Sequence, residues 1–256
     1  MLALALAAVL AANPSPVEAW AKKACPPPKK QPESNIEMKF VEQQRAECLL
    51  KAMNKALDKV LLPLKKQNPA AFKEWMSLQA DYNRWMADAC ASVEEANWVD
   101  LSTGERSMGT GYGYTESQCR QQQHAWRGFY ADAWARKDWK GIEQALQDFA
   151  TPAQKARESL QAYRAQARQA AARAPAHVAE GDDLPVRQLS KDDWKPYNER
   201  LERAASGPEA LSKRQCALVP SPAADCAQRF ADSLSAQLDF SDALSASAGG
   251  DAQGEQ

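Results

Sequence analysis

The amino-acid sequence predicts an all-α protein, in which disulfide-stapled antiparallel helical hairpins form two helical modules. Apolar residues recur at spacings of three and four through most of the 256 residues. No stretch shows a convincing run of alternating β-branched residues, and six cysteines lie beside breaks in the helical pattern. A chain of this length suffices for one large domain or two small ones.

The first 21 residues predict an export signal. Leu2–Ala12 is an unbroken apolar run, which suits the core of a signal peptide and is too short to span a bilayer. Ala19-Trp20-Ala21 follows as an A-x-A cleavage signal, although no Lys or Arg precedes the apolar run. We therefore expect a signal peptide at 1–21 and a mature chain that starts at Lys22. The protein is then periplasmic or secreted, with no stable membrane anchor after cleavage.

The cysteines predict three disulfides rather than a metal site. No pair has the C-x-x-C spacing, and the chain has only two histidines, so we expect no zinc site. An even set of cysteines in an exported protein is typical of disulfides. Fifteen pairings are possible, and the sequential one is the simplest. That pairing joins Cys25 to Cys48, Cys90 to Cys119, and Cys216 to Cys226.

The residues after the signal predict a linker followed by a helical domain. Residues 22–35 are Pro-rich and form the linker. Residues 36–135 form the helical domain, in which Asn68-Pro69 supplies an N-cap and a proline at the first helical position. The predicted helices of this domain cover 36–67, about 69–97 and 116–134.

Residues 136–240 predict a second, C-terminal helical region. Thr151-Pro152 repeats the cap-then-proline signature and divides a long helical stretch in two. Ser190 with Asp193 is a capping pair that begins a later helix, which Ser206-Gly207-Pro208 is expected to break. The predicted segments are helices within 139–173, a linker at 174–190, a final hairpin of 210–218 with 222–240, and a disordered tail at 241–256.

Charge and composition argue against several function classes. Lys plus Arg total 32 and Asp plus Glu total 33, which argues against a nucleic-acid binder with a broad basic surface. We expect His124 on the polar face of a Gln-rich helix and His177 solvated in a linker, so catalytic bases are scarce. Glu94-Glu95 and Asp192-Asp193 lie at helix ends, where capping or solvation explains them. We therefore expect no enzyme activity and no cofactor.

The segment 104–114 is the part of the sequence that predicts a binding role. It holds four of the eleven glycines, so its backbone can turn sharply, and Trp98 stands at its root. Tyr and Arg side chains give much contact energy for each rotamer lost. The alternative is that the tyrosines simply fold back on the helices. The candidate binding residues are Arg106, Ser107, Met108, Tyr112 and Tyr114.

A wider skeleton surrounds this loop between about Gln44 and Phe129. It consists of a Cys before a helix, a Gln three residues before an aromatic ring with a Cys eight residues beyond, a Gly-rich loop, and a Cys eight residues before an Arg. The matching residues are Cys48, Met53, Leu57, Asp58, Gln79, Tyr82, Cys90, Ser107-Met108, Cys119 and Arg127. This skeleton resembles the lysozyme-inhibitor LprI-like N-terminal domain family, with Tyr82 in place of the family's usual Trp.

The resemblance implies a periplasmic or secreted helical domain with disulfides, whose named activity is to inhibit lysozyme by blocking the enzyme's cleft. We therefore expect a non-enzymatic protein that binds a protein partner, with lysozyme as the specific case, through the 104–114 loop. Replacing Arg106, Tyr112 and Tyr114 with Ala is expected to abolish binding without unfolding. The alternative is an envelope structural or stress-related helical assembly protein, which predicts a stable oligomer without any ligand.

Overall fold

The computed structural model describes residues 14–28, 32–147, 149–178, 186–220 and 222–249. These residues are mostly helical, which confirms the all-α prediction. In chain order the described helices are α1 Pro16–Ala24, α2 Asn35–Gln67, α3 Pro69–Ala96, α4 Tyr114–Ala135, α5 Trp139–Gln147, α6 Ala150–Arg173, α7 Lys191–Ala217, α8 Cys226–Ser235 and α9 Ser241–Gly249. Three short strands accompany them: β1 Val99–Asp100, β2 Glu105–Ser107 and β3 Val186–Gln188.

Side-chain caps fix the helix starts where the sequence predicts them. Asn68 ends α2 and begins α3, because its side chain accepts a hydrogen bond from the Ala71 N–H at 3.1 Å. Ser190 and Asp193 form a complete capping box at the start of α7. The stretch around Thr151-Pro152 is divided in two as expected, since α5 ends at Gln147 and α6 begins at Ala150. Thr151 is not the cap, however, because it lies inside α6, whose N-cap is Phe149 with no side-chain hydrogen bond.

One apolar cluster runs through both predicted helical regions. It contains Trp75, Trp126 and Tyr130 from the first region together with Trp194 and Phe230 from the second, all of them buried. The helices that bring them together are α3 packed on α7, α2 on α4, and α7 on α8. The two regions therefore share a core, and packing rather than a linker joins them.

The three predicted disulfides all form with the sequential pairing. Cys25–Cys48 ties the end of α1 to α2, Cys90–Cys119 ties α3 to α4, and Cys216–Cys226 ties α7 to α8, with Cα–Cα distances of 6.0, 5.4 and 5.8 Å. In the chain-entropy picture the first two bridges each contribute about 3–4 kcal/mol to the free energy of unfolding, and Cys216–Cys226, which closes a shorter loop, contributes slightly less than about 3 kcal/mol. The bridges indicate an oxidising, extracytoplasmic environment.

Helix α7 continues through Ser206-Gly207-Pro208, where the sequence predicts a break. Proline has no N–H, so the carbonyl of Ala204, four residues earlier, loses its helical donor. The Trp85 Nε1–H supplies that donor from α3, at 3.0 Å from the Ala204 oxygen. Gly207 leaves room for the indole, because a Cβ there would lie 2.7 Å from Trp85 Nε1. A tertiary hydrogen bond thus replaces the missing helical one.

Three other expectations need correction. Residues 22–24, assigned to the linker, belong to α1, and the predicted cleavage site lies within the same helix. Residues 241–249, assigned to a disordered tail, form α9, because Ala243 is buried in the main core. A small antiparallel sheet in the order β1-β2-β3 joins the glycine-rich segment to residues of the predicted 174–190 linker.

Some expectations fall outside the described residues. These are the apolar run Leu2–Ala12, part of the Pro-rich linker at 29–31, residues 179–185 of the predicted 174–190 linker, and the last residues of the tail, 250–256. Among the helices in the described ranges, none combines the length and apolar character needed to cross a membrane.

Candidate functional site

The glycine-rich segment begins as part of the small sheet. Val99 of β1 pairs with Arg106 of β2, and Arg106 in turn pairs with Arg187 of β3. The β1–β2 turn closes on Asp100, whose Oδ1 accepts hydrogen bonds from the Ser102 N–H at 2.8 Å and the Ser102 hydroxyl at 2.7 Å. Backbone pairing in the sheet therefore fixes the position of Arg106 and the direction in which its side chain extends.

Glu95, at the end of α3, holds the two halves of the segment together. Its carboxylate accepts a bidentate pair of hydrogen bonds from Arg106, with both N–O distances at 2.8 Å. The Tyr112 hydroxyl donates to the same carboxylate at 2.6 Å, and the Arg106 guanidinium lies 5.6 Å from the Tyr112 ring centre. A bidentate Arg–carboxylate pair fixes geometry better than a single contact does. The segment is therefore closed across its base.

Glu94, next to Glu95 on α3, binds the end of the loop and the first turn of α4. This carboxylate is 1% exposed, and it accepts hydrogen bonds from the Gly113 N–H at 2.6 Å and the Glu116 N–H at 2.8 Å. It also accepts one from Trp98 Nε1 at 2.7 Å. A carboxylate that accepts the free N–H groups of a helix's first turn stabilises that helix. Glu94 thus fixes the end of the loop and the indole beneath it.

Trp98 is the surface on which the loop folds. The Tyr112 ring lies 5.9 Å from it, centre to centre. A Cβ at Gly109 would lie 3.1 Å from the indole, so a larger residue there would push the Trp98 ring back by a few tenths of an ångström. Gly113 has φ +90°, a conformation that side-chain-bearing residues rarely adopt. These glycines serve close packing and a turn, so the loop has one defined shape.

The outward side of the loop is short and partly apolar. Met108 is 53% exposed, and Gly109 and Thr110 beside it are also exposed. Ser107 is half-buried in the sheet, with its N–H donating to the Trp98 carbonyl at 2.8 Å. Tyr114 is half-buried at the start of α4, and its hydroxyl accepts a hydrogen bond from Gln118 at 2.8 Å. Residues 108–110 therefore form the part of the loop that a partner can reach first, which we call the loop tip.

The charges of this site are set by Glu95. Burial and the hydrogen bond to Glu95 raise the pKa of Tyr112 to about 12, so its hydroxyl stays protonated at neutral pH. Burial alone would lower the pKa of Arg106, but hydrogen bonds to Glu95 and the Glu95 charge outweigh it, so that pKa is raised. The site is thus an ion pair with a neutral phenol beside it.

A cleft of about 330 Å³ lies beside the loop, between the sheet and α9. Trp98 and Ser107 form its loop side, and Asp242, Ala243 and Ser247 of α9 form the other. Its walls are mainly small or polar. The part of α9 that lines the cleft falls in the tail that the sequence predicts to be disordered.

Two residues of the quoted skeleton, Gln79 and Arg127, meet inside the protein rather than at the loop. Arg127 is fully buried, and its Nε donates to Gln79 Oε1 at 2.7 Å. The guanidinium lies 5.1 Å from the ring centres of Trp75 and Tyr82 and 5.6 Å from that of Tyr130. This arrangement belongs to the core between α3 and α4, not to a surface site.

The histidines take different positions from those expected. His124 is buried, not on a polar face, and burial followed by the charge of Arg120 lowers its pKa to about 4. His177 is exposed, as predicted. In the described part of the chain, no three His, Cys, Asp or Glu side chains lie close enough together to hold a metal ion.

The structure assigns the five candidate residues different tasks. Arg106 and Tyr112 hold the loop closed, Ser107 lies in the sheet, Tyr114 begins α4, and Met108 faces outward. Sequence reasoning attributed Glu94-Glu95 to capping or solvation. Capping is correct for Glu94, but the pairing of Glu95 with Arg106 was missed. The available signal was an adjacent acidic pair at a helix end, nine residues before a glycine-rich segment that carries an Arg.

Comparison of the chain with protein families, with curated proteins and with solved structures gave no match.

Proposed function

We propose that this chain is an exported, non-enzymatic protein-binding domain that contacts its partner through the 104–114 loop. The observation that supports the proposal is the fixed loop tip. Met108 projects 53% exposed from a loop whose base is closed by Glu95, Arg106 and Tyr112. Exposed apolar groups on a fixed loop are common in protein-binding surfaces.

Fixation matters because binding costs conformational entropy. A mobile loop loses about 1–2 kcal/mol per residue when its backbone is ordered, and that loss weakens binding. Here the sheet, two carboxylates and the Cys90–Cys119 bridge order the backbone in the free protein. Most of the entropy cost of ordering the loop is therefore incurred during folding. When a partner binds, little of the contact energy at the loop tip is offset by further ordering.

Lysozyme is the specific partner we propose, on the basis of the resemblance to the LprI-like family. The exposed loop tip is the part of the loop that would enter the enzyme's cleft. The periplasm, or the medium outside the cell, is the proposed location, since lysozyme acts on the cell wall there and the disulfides form there.

The test is lysozyme-catalysed cell-wall lysis in the presence of the purified, disulfide-intact protein. We expect inhibition, and we expect Met108→Asp to weaken it at least about 10-fold, because a charge would have to be buried at the contact. Met76→Asp is the matched control, since Met76 is 46% exposed on α3. It lies eighteen residues before Glu94, or about 27 Å along the helix.

The outcomes separate the general from the specific form of the proposal. Failure of the intact protein to inhibit lysozyme contradicts lysozyme as the partner. Equal behaviour of the two methionine variants in pulldowns from envelope extract contradicts the loop tip as the binding surface. Replacing Arg106 and Tyr112 with Ala is now expected to weaken binding indirectly, because the loop loses its closure and not its contacts.

A second candidate, the envelope assembly protein, is favoured by one observation. Ile36 and Phe40 lie one turn apart at the start of α2 and are 59% and 62% exposed. Exposed apolar side chains four residues apart can pack against another helix. Light scattering on the purified chain distinguishes the candidates, since this one requires a stable oligomer that Phe40→Glu dissociates.

A further inference from the structure

Helix α1 crosses the bond at which the sequence predicts signal cleavage. Ser15 and Glu18 form a complete capping box at its start, and Pro16 occupies a first-turn position. The helix then runs without a break to Ala24, past the Ala21–Lys22 bond. Cleavage at that bond would leave only three of the nine helical residues in the mature chain.

The Trp20 side chain fits a notch in α4. Gly128 lies in the middle of α4, where glycine disfavours a helix relative to alanine. A Cβ at this position would lie 2.8 Å from Trp20 Cζ2 and 2.8 Å from Cζ3, too close for either atom to stay in place. The glycine is therefore explained by the indole, and it has no such explanation in a chain that lacks Trp20.

Ala21 belongs to a small apolar cluster next to the main core. It is 6% exposed and packs with Leu49 of α2, Ala125 of α4 and the buried Cys25. The Cys25–Cys48 bridge then ties the end of α1 to α2. Removal of Ala21 and Trp20 would leave this bridge holding three residues that precede Cys25, with the notch in α4 open to solvent.

We propose that export processing leaves Trp20 and Ala21 in the mature protein, so the signal peptidase cuts at the Ala19–Trp20 bond or at one before it. The step is hydrolysis of one peptide bond. Water supplies the hydroxyl of the leader's new carboxyl group and a proton for the mature chain's new amino group. The proposal rests on export and on the packing of α1, and it does not depend on what the loop tip binds.

The first experiment locates the new amino terminus. The full chain is exported from a bacterial host, and the isolated protein is analysed by intact mass and by amino-terminal sequencing. We expect a first residue at Trp20 or before it, with the apolar run 2–12 removed. A first residue at Lys22 or later overturns the proposal, as does exported protein that keeps its leader.

A second experiment tests whether the exported protein retains Trp20. It measures whether Gly128→Ala raises or lowers the Tm. With Trp20 present, Gly128→Ala is expected to lower Tm by at least about 2 °C, because the new methyl group displaces the indole. With Trp20 removed, the same change is expected to raise Tm, because alanine favours a helix. A rise in Tm therefore overturns the proposal.

Gly207→Ala is the matched control for that measurement. Gly207 faces Trp85, which lies far from any leader, and a Cβ there would lie 2.7 Å from Trp85 Nε1. This variant must lose stability wherever the leader is cut. Combining Gly128→Ala with Trp20→Ala is expected to recover part of the loss caused by Gly128→Ala alone, since the methyl group then has room.

Discussion

Two arginines next to tyrosine rings, Arg106 and Arg127, are held in opposite ways. Arg106 is half-buried at the loop and forms a bidentate pair with the Glu95 carboxylate. Arg127 is fully buried, and among the described residues its guanidinium has one acceptor, the neutral Gln79. Three aromatic rings surround it in place of a carboxylate.

The difference shows what each arginine contributes. The Arg106 pair fixes direction, because two parallel hydrogen bonds lock the guanidinium to one carboxylate. Around Arg127 the rings attract the charge without fixing it, at about 0.5–2 kcal/mol for each ring. Desolvation of an ion costs several kcal/mol and opposes this attraction, and the Arg127 Nη1 and Nη2 atoms have no hydrogen-bond partner among the described residues. Arg127 therefore acts mainly as a space-filling core residue, and Arg106 as a clamp.

The largest effect is expected from truncating Arg127. Arg127→Ala empties the space between Trp75, Tyr82 and Tyr130 and leaves Gln79 without its donor, so we expect a loss of about 3–5 kcal/mol in the free energy of unfolding. Arg127→Met keeps most of the volume and removes the charge, although Gln79 again loses its donor, so we expect a smaller loss of about 1–2 kcal/mol. Urea unfolding measures both. A large loss in the Met variant would show that the charge itself stabilises the core.

A pH effect of somewhat smaller size is expected from His124, three residues before Arg127 on α4. Burial keeps His124 neutral by lowering its pKa from 6.5 to about 4. A buried arginine cannot lose its charge in this way. Between these two pH values the unfolded chain binds a proton that the folded chain does not, so stability falls as pH falls. The loss is at most about 3 kcal/mol on going from pH 7 to pH 4.

His124→Gln tests this assignment, because glutamine does not titrate. The variant should be less sensitive to acid over the same range in urea unfolding at pH 7, 5.5 and 4. His177→Gln is the control, since His177 is exposed and its replacement should leave the pH dependence unchanged. An identical acid sensitivity in wild type and His124→Gln would contradict the assignment.

The smallest effect is expected from giving Arg106 a neutral hydrogen-bond partner, which is the kind of partner that Arg127 has in Gln79. Glu95→Gln gives Arg106 a neutral partner, with an expected loss of about 1–2 kcal/mol in a site that is only partly buried. It should also bring the Tyr112 pKa down from about 12, because the Glu95 hydrogen bond and charge both raise it. Ultraviolet titration of the tyrosines and hydrogen exchange of the loop amides measure the two effects. Glu105→Gln, on the exposed part of β2, should change neither.

The sequence predicted most helices because their ends depend on local chemistry. Asn68-Pro69 and the Ser190–Asp193 pair act within one turn, so the residues themselves specify the cap. Cysteine pairing was likewise predictable, since each bridge joins neighbours in chain order.

Features that depend on distant residues were not predictable from local patterns. α7 passes Pro208 because Trp85, more than a hundred positions earlier, donates to the carbonyl that proline leaves free. α9 exists because its apolar side meets the core. For the candidate site, the loop and its residue types were correctly located, but the carboxylate that closes it comes from the preceding helix. Only the three-dimensional arrangement shows that Arg106 points inward to that carboxylate.

The Trp85 contact has a mechanical consequence for the whole molecule. A smooth helix can slide along its neighbour by a turn and find similar apolar surface again. Within α7, the Ala204 carbonyl has no helical donor and Gly207, three positions further on, has no side chain, and a single indole on α3 satisfies both. A shift of α7 along α3 by one turn would lose both parts of this contact. The contact therefore fixes the axial register between the two helices.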